Sequence, residues 1–139
     1  MHKIQVQYRS NAEGVSWESV QKLIIEVGWP ERPIKDIVSS FGKSSFIRFA
    51  YLGDDLVGFG RTIDDGQYYG MVVDLIVSPK HQRKGIGSTI LRQLSEEMKH
   101  FYTVSLIAAP GKNEFYERAG WEQMRLGYHL PRRVRMSVE

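Results

Sequence analysis

The 139-residue chain contains no cysteine. Disulfides, thiolate zinc sites and a cysteine nucleophile are thereby excluded, and no acyl group can be carried on a thiol of the chain itself. There is no apolar run of the ~18 residues a membrane span requires, and Met1-His2-Lys3-Ile4-Gln5 lacks the apolar stretch of a secretory signal. A cytoplasmic protein with no membrane partner is therefore expected. Repeats and low-complexity stretches are also absent. Excess charge of one sign is small: 19 basic against 16 acidic residues leave +3, with a pI near 9.2. That balance does not argue for nucleic acid, and the terminal Arg132, Arg133 and Arg135 form the kind of cluster that is ordinarily solvated. A small polyanion is an equally good partner, and no metal is expected.

With 42% hydrophobic and 25% charged residues, the composition is that of one globular domain, here residues 1–139, able to bury a core without staples. Ile4, Val6 and Tyr8 alternate with polar residues as in a half-buried strand. From Ser16, which has the chemistry of an N-cap, Trp17, Val20, Ile24 and Val27 recur at helical spacing as far as Gly28-Trp29-Pro30. Pro33 suits a first helical position, with Ile34, Ile37, Val38 and Phe41 forming the next stripe and Gly42 closing it. Ser45 to Leu52, Leu56 to Ile63 and Gln67 to Val77 read as an antiparallel meander, its turns at Gly53-Asp54-Asp55 and Asp64-Asp65-Gly66. A helix follows with Ile86, Ile90, Leu94, Met98 and Phe101 on one face. The spacing then predicts a strand over Thr103 to Ala109, a short helix over Asn113 to Ala119, and final strands over Trp121 to Leu126 and Tyr128 to Val138. This order predicts an α+β fold, a twisted mixed sheet of about six or seven strands flanked by about four helices. The strands ending at Val77 and beginning at Thr103, joined through a helix, should run parallel, and ligands bind at the carboxyl ends of such strands. Exposed edge strands near the C-terminus would allow a homodimer.

Gln82-Arg83-Lys84-Gly85-Ile86-Gly87-Ser88 follows a strand and opens a helix. The free amides of a helix N-terminus converge there, the dipole favours negative charge, and two glycines let a phosphate approach the backbone. Lys80, Arg83 and Lys84 add positive charge, so a diphosphate fits. The P-loop and dinucleotide patterns do not match: no Lys-Ser/Thr follows the last glycine, and no third glycine stands near Ile90. Taken alone, Gly85 and Gly87 also suit a tight strand-to-helix turn. With the preceding Leu75-Ile76-Val77-Ser78-Pro79 and the later Asn113-Glu114-Phe115-Tyr116-Glu117-Arg118-Ala119-Gly120-Trp121, however, the chain resembles the GCN5-related N-acetyltransferase (GNAT) family. The resemblance is close over about residues 44 to 126 and elsewhere follows element order. It implies acetyl-CoA as co-substrate, its pyrophosphate on the amides of Gln82 to Ser88 and its pantetheine along the backbone of Leu75, Ile76 and Val77. It also implies Tyr116 as the acid that protonates the departing thiolate.

Acetyl transfer to an amine needs a neutral amine, a stabilised oxyanion and a proton for the thiolate. Without cysteine, direct attack in a ternary complex is expected, held by positioning of the two reactants. A phenol with a pKa near ~10 remains protonated at neutral pH and can serve a thiolate whose conjugate acid is near ~8.5. Tyr116 could equally be a half-buried aromatic. Asn113 could cap its helix or reach the cofactor. Asp74, inside the apolar run Met71 to Val77, is the candidate base and acceptor contact, or else lies on a solvated sheet face. Relatives often carry a glutamate near Met71, which this chain lacks; His129, Asp64 and Asp65 are weaker alternatives. Trp29-Pro30-Glu31-Arg32-Pro33 with Asp74 is similar to the plastid-type serotonin N-acetyltransferases of plants. An aromatic wall at Trp29 beside a carboxylate would suit a cationic or aromatic amine, unless Trp29 packs the helix junction. The expected activity is N-acetylation of a primary amine on a small molecule; a protein amine acceptor and a catalytically silent CoA-binding module are the alternatives.

Overall fold

The computed structural model describes residues 5–132. The chain divides into two units, Met1–Leu106 and Ile107–Glu139. The first runs β1 (Val6–Arg9), α1 (Trp17–Glu26), α2 (Ile34–Lys43), β2 (Ile47–Leu52), β3 (Asp55–Asp64), β4 (Tyr69–Val77), a 3-10 turn at Pro79–His81, α3 (Ile86–Glu97) and β5 (Thr103–Ser105). The five strands form one sheet in sequence order, antiparallel except for the parallel pair β4 and β5. This is the α+β fold expected, with fewer strands.

Local signals explain most boundaries. Ser16 Oγ accepts from the Ser19 amide at 3.2 Å and so caps α1. Pro33 stands one place ahead of α2, and that helix continues through Gly42 to Lys43. Asp65 forms the β3–β4 turn, its Oδ1 accepting the amides of Gln67, Tyr68 and Tyr69. These bonds favour the charged form and hold its carboxyl below the ordinary 3.8.

The alternation of β3 assigns the two faces of the sheet. Phe59 joins Val20, Leu23, Ile24, Ile37, Phe41, Phe49 and Ile76 in the core beneath α1 and α2. Its rings are close: Phe41 stacks on Phe49 at 5.4 Å and meets Phe59 edge-on at 5.8 Å. Each such pair adds roughly 0.5–1.5 kcal/mol beyond burial. On the opposite face, Gly58 and Gly60 lie beneath the buried Ile86, Ile90 and Leu94 of α3. A β-carbon at Gly60 would stand 3.0 Å from Ile90 and 3.1 Å from Leu94, so their absence brings α3 against the sheet.

Among the described residues, the second unit contains one helix, α4 (Asn113–Arg118). Three expectations are corrected here. β5 ends at Ser105 rather than Ala109, since its parallel pairing with β4 stops at Met71 opposite Ser105. Residues 121–132 contain no strand, so the two C-terminal strands and the edges they would expose are missing from that stretch. Alternation alone does not make a strand without a ladder partner. The rest of the last expected strand, with Arg133 and Arg135, lies outside the described residues, as does Ile4.

Candidate functional site

The loop from β4 to α3 is built around two residues in left-handed conformation, Arg83 (φ 65°) and Gly85 (φ 83°). Gly85 is the N-cap of α3 and carries no side chain to satisfy the helix start. The first bond of α3 runs from the Thr89 amide to the Gly85 carbonyl at 3.0 Å. The amides of Gly85, Ile86, Gly87 and Ser88 are therefore left without helical acceptors. Gln82 turns its side chain back, its Nε2 donating to the Val77 carbonyl at 3.1 Å, which ties the loop to the strand end. Ile86 is buried in the core, so only its backbone amide is available, whereas Arg83, Lys84 and Ser88 are exposed. An alternation of left- and right-handed backbone ahead of a helix makes a concave array of N–H donors suited to an anion.

β4 bears a bulge just before this loop. Phe59 pairs with Ile76, yet Arg61 pairs with Val73, so Gly60 faces both Asp74 and Leu75. The extra residue is accommodated at Asp74, whose φ is 52°, a left-handed value that aspartate tolerates better than most residues with a β-carbon. Because β5 pairs only as far as Met71, the stretch from Val72 to Val77 has no strand beside it on that edge among the described residues. Backbone polar groups there are free to bond an extended ligand. The Ile76 side chain belongs to the core, so it can contribute to such a ligand only through its backbone.

Asp74 neither lies on a solvated face nor stands free. Its side chain is 8% exposed. Arg32 grips it through both terminal nitrogens, Nη1 to Oδ2 at 3.0 Å and Nη2 to Oδ1 at 3.1 Å. Arg61 adds Nε to Oδ2 at 2.9 Å and reaches Ser44 Oγ at 3.2 Å. Burial by itself would raise the Asp74 pKa, but the hydrogen bonds and charges of Arg32, then of Arg61, outweigh it and hold the carboxyl below 3.8. Trp29 is half-buried against the core, and its ring lies 5.5 Å from the Arg32 guanidinium. Trp29 thus packs at the helix junction as well as against the Arg32 guanidinium.

In the second unit, Asn113 begins α4 and Lys112 occupies the N-cap, so Asn113 is not the cap the sequence allowed; it is exposed. Tyr116 is half-buried, edge-on to Phe115 at 4.9 Å and to Trp121 at 6.4 Å. Burial pushes its phenol above the ordinary 10, so the proton stays on through the neutral range. His129 is exposed, and Asp64 bonds Ser45, Thr62 and the Gly66 amide within the β3–β4 turn region. An open cleft of about 390 Å³ beside α2 is lined by Arg61 and Asp64 but not by Asp74, Tyr116 or the loop before α3; Arg61 and Lys43 against Asp36 and Asp64 leave it without a charge preference.

Arg32 and Arg61 were not anticipated as partners of Asp74. The signal for Arg61 was present: an arginine in the apolar run Leu56 to Ile63 must find a counter-charge, as Asp74 must in its own strand.

The model of the acetyltransferase (GNAT) domain matches residues 43–123. An acetyltransferase of the GNAT family from Streptococcus pneumoniae TIGR4 superposes with a TM-score of 0.80, is 31% identical and covers 94% of this chain and 100% of its own. The uncharacterized N-acetyltransferase ycf52 of Porphyra purpurea is 28% identical over 120 residues, covering 82% of this chain and 69% of the relative. GCN5-related N-acetyltransferase 2, chloroplastic, of Arabidopsis thaliana is 23% identical over 125 residues, and the match covers 48% of that relative.

Proposed function

The chain belongs to the GNAT acetyltransferase family, and from that premise we propose that it acetylates a primary amine on a small molecule by direct transfer from acetyl-CoA in a ternary complex. The observation that carries this reading is the loop of left-handed Arg83 and Gly85 leading into the unsatisfied amides of α3, beside an unpaired edge of β4. Acetyl-CoA supplies the thioester whose acyl carbon the amine attacks. The amides of Gly85 to Ser88 hold its diphosphate, Lys84 and Arg83 add counter-charge, and the backbone of Leu75 to Val77 holds the pantetheine. Asn113 is assigned to the cofactor by the family resemblance of the Asn113 to Trp121 segment.

Tyr116 gives its Oη proton to the sulfur as the carbon–sulfur bond breaks; the surplus proton of the new amide nitrogen restores the phenol through solvent. A phenol held above 10 is protonated at neutral pH and so is available as the donor, while transfer of its proton to a thiolate of pKa near ~8.5 is uphill and is made steeper by the burial that raises it. Asp74 is ionised at neutral pH with both oxygens held by guanidiniums, so to take a proton it would have to give up one of those bonds. We therefore assign it to placing the acceptor through Arg32 and leave removal of the ammonium proton to solvent. Among the described residues no helix is long and apolar enough to cross a membrane. We place the protein in the cytoplasm or, following the chloroplastic name of the Arabidopsis relative, in a plastid.

A thiol-reactive dye reports CoA release without background from the cysteine-free chain. An amine panel should raise the rate above spontaneous hydrolysis; no amine or peptide doing so would sink the reading. Tyr116→Phe should retain CoA binding in a thermal-shift titration and lower kcat by roughly 10²–10⁴, the range of general-acid contributions. Unchanged kcat would remove Tyr116 from the role.

A further inference from the structure

Asp74 considered alone would attract a cationic amine. In the fold, two guanidiniums face that one carboxylate, which leaves one positive charge in excess at the junction of the α1–α2 connection and the β4 bulge. The excess sits on Arg32: its side chain is 35% exposed, against 13% for Arg61. Arginine has five N–H donors, and Arg32 gives only two of them, both to Asp74. The other three have no partner among the described residues. The side chain is also held in place, with Trp29 against its guanidinium. Gln21 Nε2 donates to the Arg32 carbonyl at 2.9 Å, fixing the connection to α1. Glu31, the nearest acidic neighbour in sequence, is exposed and forms no ion pair with either arginine. An arginine pinned on one edge and free on the other is preorganised for bidentate binding of a second anion.

Resting on the reading of the chain as an amine acetyltransferase, we propose that the acceptor is an amine that itself carries a carboxylate or phosphate, bound by the free edge of Arg32. Asp74 and Arg61 are then positioning residues: they orient Arg32, and Asp74 lowers the local charge enough that the guanidiniums can share one site. A purely stabilising network would gain little from keeping Arg32 partly in solvent, where an ion pair contributes little.

The test compares matched acceptors, ethanolamine with O-phosphoethanolamine and tyramine with tyrosine, on the wild type, Arg32→Gln and Arg32→Lys. The anionic member of at least one pair should have the higher kcat/KM by roughly tenfold or more, the scale of one charge-assisted hydrogen bond. Which pair responds separates phosphate from carboxylate. Arg32→Gln should lower that preference about tenfold, while Arg32→Lys, which keeps the charge but not the fork, should retain part of it. Equal or inverted preference in the wild type overturns the proposal. So does an Arg32→Gln variant in which both members of a pair slow together, since a structural role moves rates but not their ratio. Tryptophan-fluorescence titrations with the same four compounds make the two readings separable. Salt-sensitive, Arg32-dependent selection of the anionic members without turnover would leave the binding inference standing and defeat the transfer reading. Turnover without selection would do the reverse, and neither would defeat both.

Discussion

The left-handed backbone of Asp74 leads to a prediction opposite to the ordinary rule for strands. In a regular strand, replacing a residue by glycine is worse than replacing it by alanine by roughly 0.5–1 kcal/mol, because glycine loses more freedom on folding. At a φ of 52°, a β-carbon clashes with the following carbonyl at a cost of roughly 1–2 kcal/mol, which glycine avoids. Asp74→Gly and Asp74→Ala both remove the carboxylate and leave Arg32 and Arg61 unpaired, so the electrostatic loss cancels between them. The difference that remains is about 0.5–1 kcal/mol in favour of glycine. Both variants should lie well below the wild type, because breaking a buried pair costs roughly 3–5 kcal/mol, discounted here because Arg32 is partly exposed. Urea denaturation at matched m-values measures the ordering directly, and for a chain of this length the glycine variant should melt a few degrees higher. An alanine variant as stable as the glycine variant, or more so, would refute the left-handed bulge in β4 opposite Gly60.

Asp74 should also shape the acid limb of stability. Its folded pKa is depressed below 3.8, so its contribution is fully present above that value and is lost as pH falls through the folded pKa. Asp74→Asn should flatten the decline in denaturation midpoint below about pH 4, and an unchanged acid limb would show that the carboxylate is not held as described. At Gly58, a new β-carbon would lie 3.0 Å from the Ile76 carbonyl and 3.4 Å from Ile86 in the first turn of α3. Gly58→Ala should therefore weaken CoA binding as well as stability, through displacement of the helix start. Calorimetric titration with CoA showing full affinity in a folded variant would disconnect the β3–α3 contact from the anion loop.

What could be read along the chain was what neighbours in sequence decide. The Ser16 cap, the Ile86-Ile90-Leu94 stripe, the Asp65 turn and the glycine loop after Val77 each depend on contacts within a few residues and are found where the spacing predicts, although α3 stops at Glu97, so Met98 and Phe101 lie beyond the helix they were expected to extend. The family, too, was legible, because the Gln82-to-Gly87 and Asn113-to-Trp121 segments are contiguous. Strand number was not: alternation over residues 121–130 marks a chain able to pair, but pairing needs a partner strand whose location no local pattern specifies. Nor was the environment of Asp74. Its apolar flanks announced a carboxylate in need of compensation, but Arg32 lies 42 positions away and Arg61 lies 13 away. Only the register of β3 against β4, with its extra residue opposite Gly60, and the docking of the α1–α2 connection bring them together. The contiguous motifs thus determined the family to which this chain belongs. The tertiary structure decided the sign of the charge beside the bulge, because that sign is a sum over residues that meet only when the sheet has formed.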